Sequence, residues 1–178
     1  IPHPRIGYIG NINRKVDLPL IGKLSRRNHS WHFVIVGEIA NLDDITSNSL
    51  QALREASNVH FLGGKLPKEL PKYANNMDVN LMAYRVTNGL WTQAIYPLKL
   101  HEYLASGNPV VSANIPSVRE FSEIIHIVDD NVDNWIEAIN SALNEDEKSN
   151  RLKRLEVARQ NSWNERVKTV ESFISTLS

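Results

Sequence analysis

The chain has 178 residues and carries 20 Lys plus Arg against 20 Asp plus Glu, so it has no formal net charge with neutral histidines. That balance argues against nucleic acid or an anionic membrane surface recognised through overall charge. It contains no cysteine, which excludes disulfides, thiolate nucleophiles and Cys-based metal sites, and no apolar run approaches the roughly 18 residues of a spanning helix.

The length suits one domain with a substantial core. Residues 1–4, with Pro2 and Pro4, read as an extended linker from a preceding domain. Residues 5–10 follow as a strand ending in the turn glycine Gly10, then a polar loop over 11–15. From Asp17, a suitable N-cap, to Arg27, the rhythm of Leu18, Ile21 and Leu24 predicts a helix. Residues 31–37 form a β-branched buried strand, 47–56 a weakly patterned helix, and 58–62 a third strand ending at Gly63-Gly64. A helix over 67–74 and a strand over 78–83 lead into a loop over 84–95 with a turn signal at Asn88-Gly89.

Pro97 suits the first position of the next helix, Leu100, Tyr103 and Leu104 supply its apolar face, Gly107 ends it and Pro109 forbids its continuation. A strand over 110–113 follows, then a helical turn at 117–121 and a sixth strand over 124–128. Residues 129–131 cap a helix bearing Val132, Trp135, Ile136, Ile139 and Leu143 at helical period. Two more helices, over 146–160 and 163–177, complete the chain, with Glu147 spaced to pair with Arg151. Strands alternating with helices predict an α/β, Rossmann-like, parallel six-stranded sheet with helices on both faces and additional C-terminal helices. Ligands of such folds bind at the carboxyl ends of the strands, where the glycine turns, the 84–95 loop and the Pro97 helix converge.

Lys99 and Glu102 stand three residues apart in the first turns of that helix, and its N-terminus attracts anions. A cation, a carboxylate and an anion-binding helix end can together read a phosphorylated sugar. A carboxylate accepts from two adjacent hydroxyls, as ribose requires, although an isolated helix glutamate is more commonly a solvated surface group. Arg14 and Lys15 are either further phosphate contacts or solvated loop charges. The six histidines show no metal-ligand spacing, and His29 and His32 read as ordinary. There is no dinucleotide fingerprint, P-loop or nucleophile elbow.

The run Pro97-Leu98-Lys99-Leu100-His101-Glu102-Tyr103-Leu104-Ala105, with Gly107, Pro109, Val110 and Val111, resembles the donor-binding segment of GT-B glycosyltransferases. The similarity is to the large retaining family of glycogen synthases and bacterial polysaccharide transferases. It extends over most of the chain but is specific only across residues 97–111. It implies a single nucleotide-sugar-binding lobe over 1–178, with Glu102 on the ribose hydroxyls. Lys99 and Arg14 or Lys15 would stabilise charge on the leaving phosphate, and Gly10 would lie in the first phosphate-facing turn. Phe61, Leu62 and Gly63 would lie by the nucleobase, read by main-chain groups. Thr92, Ala94 and Ile95, with Gly89, would offer backbone amides to the diphosphate and sugar.

Ala94 stands where relatives often carry a second, sugar-contacting glutamate, and the usual Glu-Gly-Phe-Gly run is absent, so donor sugar and stereochemical course stay open. The resemblance further implies a nucleotide-diphosphate sugar such as a UDP-sugar as donor, a saccharide or lipid-linked acceptor, and no metal or other cofactor. It implies a missing N-terminal lobe towards which the 163–177 helix returns, without which the fragment binds nucleotide weakly and transfers no sugar. It places the protein in the cytoplasm, at the inner face of the membrane, in polysaccharide synthesis. The alternatives are a non-hydrolysing nucleotide-sugar epimerase of similar fold and a non-enzymatic response-regulator-like module.

Overall fold

The computed structural model describes residues 1–86, 94–129, 131–144 and 146–176. Thr92, the Asn88-Gly89 turn and Asp130 of the expected cap lie outside the described residues. Six strands, β1 Arg5–Ile9, β2 His32–Val36, β3 Val59–Gly63, β4 Val79–Met82, β5 Val110–Ala113 and β6 His126–Val128, form one sheet in the order β3-β2-β1-β4-β5-β6. Every pairing is parallel, with Tyr8 beside Ile35 and Leu81 beside Val111. The order reverses between β1 and β4, the switch point at whose carboxyl ends ligands of such sheets bind.

The helices are α1 Leu18–Arg27, α2 Asp44–Arg54, α3 Leu70–Asn75, α4 Lys99–Ser106, α5 Val132–Asn144, α6 Lys148–Gln160 and α7 Trp163–Thr176. Helices α1, α2 and α5 pack together on one side of the sheet, and α3, α4 and α6 pack together on the other. Strands covered on both faces must be apolar throughout, and β4 and β5 are buried along their whole length. Trp135 and Ile139 carry α5 into the core beside Leu18, Ile21 and Leu24 of α1.

Local chemistry accounts for the helix ends. Asp17 caps α1 by accepting from the Leu20 amide at 2.9 Å. Asp43 does the same for α2, accepting from the Thr46 amide at 2.8 Å, so α2 begins three residues before the expected residue 47. The helix expected from Pro97 begins at Lys99 instead: the Pro97 and Leu98 carbonyls accept from the Leu100 and His101 amides in a preceding turn. The segment expected as one helix over 67–74 splits into a 3₁₀ turn, Pro67–Glu69, and α3, with Pro71 near the junction.

The expected Glu147–Arg151 pair does not form. Glu147 is the extended residue before α6, so four-residue helical spacing does not apply to it. Its carboxylate accepts from Ser149, while Arg151 donates to Asn108 at 2.9 Å. The outer faces instead carry Glu156–Arg159 and Glu165–Lys168 pairs.

Helix α6 buries one charged side chain. Arg154 is 2% exposed and donates to the Gly107 carbonyl at 3.0 Å, the Ile124 carbonyl at 3.4 Å and the Asp146 carboxylate at 2.6 Å. It thereby ties α6 to the left-handed Gly107 that closes α4. Replacing it orphans two carbonyls and a partly buried carboxylate. Arg154→Ala is expected to lower unfolding free energy by about 3 kcal/mol, read as a reduced urea midpoint at unchanged slope.

Candidate functional site

The carboxyl edge is built from three neighbouring glycine turns. Gly10, Gly37 and Gly63 end β1, β2 and β3 with φ of 143°, 152° and 70°. The Gly10 amide donates to Val36 at 2.8 Å and the Gly37 amide to Gly63 at 3.0 Å, so the turns extend the sheet ladder by one step. The β1 and β2 ends approach so closely that a Cβ on Gly37 would overlap the Gly10 carbonyl. At Gly10 a Cβ would lie 2.7 Å from the Lys99 ammonium nitrogen, so the missing side chain makes room for that cation.

Helix α4 is docked on this edge by Tyr103. Its hydroxyl accepts from the Ile9 amide at 2.8 Å and donates to the Ile9 carbonyl at 3.2 Å. With Leu100, Tyr103 and Leu104 buried, Glu102 turns outwards and is exposed. It lines a cavity of about 310 Å³ between α3 and α4, together with Ile9, Pro67, Leu70, Pro71 and Tyr103. It also borders a second cavity of about 320 Å³ whose walls include Trp163 and Arg166.

Lys99, half-buried one turn earlier, lies with Nζ 4.0 Å from the centre of the Tyr8 ring and 5.2 Å from that of Tyr84. Burial lowers its pKa to about 7, against a smaller raising effect from Glu102. Burial likewise raises the pKa values of Tyr8, Tyr84 and Tyr103, so all three phenols are neutral around it.

The structure therefore brings Gly10, Lys99 and Glu102 together. Arg14 and Lys15 are exposed on the loop after β1, whose backbone is bonded to Asn41 and Arg85. Phe61 is half-buried against the core. Leu62 points into a different cavity, with Arg5, Val34 and Tyr73, and Gly63 is exposed at the end of β3. Ala94 is exposed, and Ile95 packs on the core.

Several features escaped the sequence reading. Pro67 and Leu70 were legible as a helix start, yet nothing marked them as cavity walls. Arg85, directly after Tyr84, donates to Asp43 at 2.7 Å and Thr46 at 3.0 Å, joining the end of β4 to the cap of α2. His101 stacks on Tyr96, meets its hydroxyl at 2.7 Å, and lies 3.3 Å from Arg166. Burial, then Arg166, lowers its pKa. His32 is less ordinary than expected, because it meets His60 of the adjacent strand at 3.0 Å. No group of three metal-ligating side chains exists among the described residues.

The family model for glycosyl transferases group 1 matches residues 3–145. The chain belongs to this family. It is 35% identical over 169 residues to TuaH of Bacillus subtilis (strain 168), a protein named as a teichuronic acid biosynthesis glycosyltransferase, covering 89% of this chain and 40% of that one. Among solved structures it resembles Anabaena HepE in complex with UDP-glucose, with a TM-score of 0.76, 14% identity, and coverage of 97% of this chain and 49% of that one. Sucrose-phosphate synthase of Thermosynechococcus elongatus superposes with a TM-score of 0.77 at 15% identity, covering 99% of this chain and 46% of that one. This chain spans half or less of the length of these relatives, and what it shares with the solved structures is a GT-B-type fold.

Gly63→Ala meets no atom within 4 Å and carries only the left-handed backbone penalty, so it is expected to cost about 1 kcal/mol. Gly37→Ala adds a backbone clash and is expected to cost about 3 kcal/mol or more in chemical denaturation. Hydrogen bonds from Thr46, then Arg85, lower the Asp43 pKa to about 2. A depressed carboxyl stabilises the fold fully above its unfolded pKa near 3.9 and loses that contribution as pH falls through its folded pKa. Amide protection in the first turn of α2 is therefore expected to fall between about pH 4 and pH 2, and to be low at all pH values in Asp43→Ala.

Proposed function

We propose that this chain is the donor-binding lobe of a glycosyltransferase that takes a nucleotide-diphosphate sugar. The observation that carries the reading is the placement of Glu102 in the wall of a cavity at the carboxyl edge, with the Lys99 ammonium one turn away beside Gly10. The cavity's apolar wall of Ile9, Pro67, Leu70 and Pro71 suits a flat nucleobase. Main-chain groups of Phe61, Leu62 and Gly63 form the adjoining strand end in this reading. Glu102 accepts from the two ribose hydroxyls, and the diphosphate lies over Gly10 towards Lys99, with Arg14 or Lys15 approaching from the neighbouring loop.

Chemistry follows from charge. As the glycosidic bond to the donor breaks, negative charge grows on the leaving phosphate, and a fixed cation stabilises that state more than the bound donor. Lys99 fills this role in the proposal without a metal or other cofactor. In this reading the sugar is held by main-chain groups near Ala94 and Ile95, and methyl-bearing Ala94 supplies no carboxylate to its hydroxyls. A UDP-sugar is the preferred donor class, supported by the UDP-glucose complex of HepE. A saccharide or lipid-linked acceptor for surface polysaccharide is supported by the name of TuaH.

The chain spans about half of its relatives or less, so acceptor contacts belong to a further lobe in this reading. Helix α7 suits packing against such a lobe, because Trp163, Val167, Val170 and Ile174 are all more than half exposed at helical spacing. No helix among the described residues is long and apolar enough to cross a membrane. The proposed setting is the cytoplasm, at the inner face of the membrane, where nucleotide sugars would meet a lipid-linked acceptor.

The test is calorimetric titration of UDP and GDP into the chain and into Glu102→Ala. Loss of hydrogen bonds to a charged acceptor is expected to weaken UDP binding by about 1.5–3 kcal/mol, roughly ten- to a hundredfold, with the thermal unfolding midpoint nearly unchanged. Equal affinities for the chain and its variant would refute the placement of ribose at Glu102.

A further inference from the structure

Lys99 is an unusual anion-binding group because its ammonium has no anionic or hydrogen-bonding partner among the described residues. The groups facing it among the described residues are Tyr8 from β1, Tyr84 from the segment after β4, and Glu102 from its own helix. Two of these present aromatic faces, at 4.0 and 5.2 Å. The Glu102 carboxylate makes no ion pair with it within 4 Å. The Tyr8 hydroxyl is committed to the Asn11 carbonyl at 3.2 Å, and burial keeps the Tyr8, Tyr84 and Tyr103 phenols protonated, so none becomes a phenolate counter-ion near neutral pH.

An amine in this position has given up much of its water, and ring faces return only part of the lost hydration. Holding its proton is therefore costly while the site is empty. A diphosphate over Gly10 reverses the balance, since it supplies negative charge and acceptor oxygens where Nζ already points.

We propose that the chain takes up a proton on the Lys99 amine as it binds the donor's diphosphate, so that donor affinity is tuned by pH through this one side chain. The proposal rests on the reading of Lys99 as the diphosphate's partner. In the empty site burial lowers the amine's pKa to about 7, so part of the population lacks this proton at neutral pH. Below that pH the cation is present before the donor arrives, and affinity is at its full value. As pH rises above 7, a growing share of chains must first acquire a proton, and the dissociation constant climbs towards a tenfold increase per pH unit. The climb ends only where the bound amine itself loses its proton.

The experiment is calorimetric titration of UDP-glucose into the chain at pH 6, 7, 8 and 9, each in two buffers of different ionisation enthalpy. UDP-glucose is the probe because its diphosphate is a diester without a second ionisation in this range. The expected uptake is about half a proton per donor at pH 7, rising towards one at pH 8, with weakening affinity over the same interval. Lys99→Met should bind more weakly and show neither the uptake nor the climb. Lys99→Arg keeps a cation that cannot deprotonate here, and should restore binding with a flat pH profile, which a merely structural role would not produce. Tyr8→Phe retains the ring and should reproduce the native linkage.

Binding that depends on Glu102 but shows equal heats in both buffers and a flat pH profile would overturn the proposal and leave the donor site standing. Uptake that persists in Lys99→Met would overturn it too, by placing the proton elsewhere. Failure of UDP-glucose to bind at any of the four pH values would remove both the proposal and the reading beneath it.

Discussion

The site depends on one buried hydroxyl. Tyr103 accepts from the Ile9 amide and donates to the Ile9 carbonyl, so a single side chain satisfies both polar groups of the last residue of β1. Strand ends next to a ligand crevice have lost their ladder partners on one side, and an unpaired buried amide there costs about 1–3 kcal/mol. By answering that need, Tyr103 fixes the rotation of α4 about its axis. Once its face is set, Leu100 and Leu104 go into the core, Glu102 has only the outward direction, and Lys99 reaches the Gly10 turn. The geometry of the candidate site follows from where one phenol is bonded.

Much of this could be read from the chain before folding. Short apolar runs, the β-branched one over 31–37 and glycine turns marked the strands, and Asp17 and Gly107 punctuated their helices, because those signals act over a few residues. The early start of α2 was missed because Asp43 stands among other acidic and polar residues, and its value as a cap lies in the Thr46 amide and hydroxyl that it meets. Glu147 and Arg151 misled for the opposite reason: the spacing was right, but one partner lies outside the helix. The setting of Lys99 was beyond sequence reading altogether. Tyr8, Tyr84 and Lys99 come from three separate elements, and only the parallel pairing of β1 with β4 places two of their rings beside one amine.

The same distinction explains how solved structures 14–15% identical to this chain superpose on it with TM-scores of 0.76–0.77. A crevice shaped by glycine turns, a helix end and strand termini makes few demands on side-chain identity. What it does demand is the absence of a side chain at Gly37, where any Cβ would overlap the neighbouring turn.

Glu102 belongs to the wall of two cavities at once, one shared with α3 and the other with α6 and α7. The two compartments therefore share one residue of their walls, and a substitution at Glu102 reshapes both together.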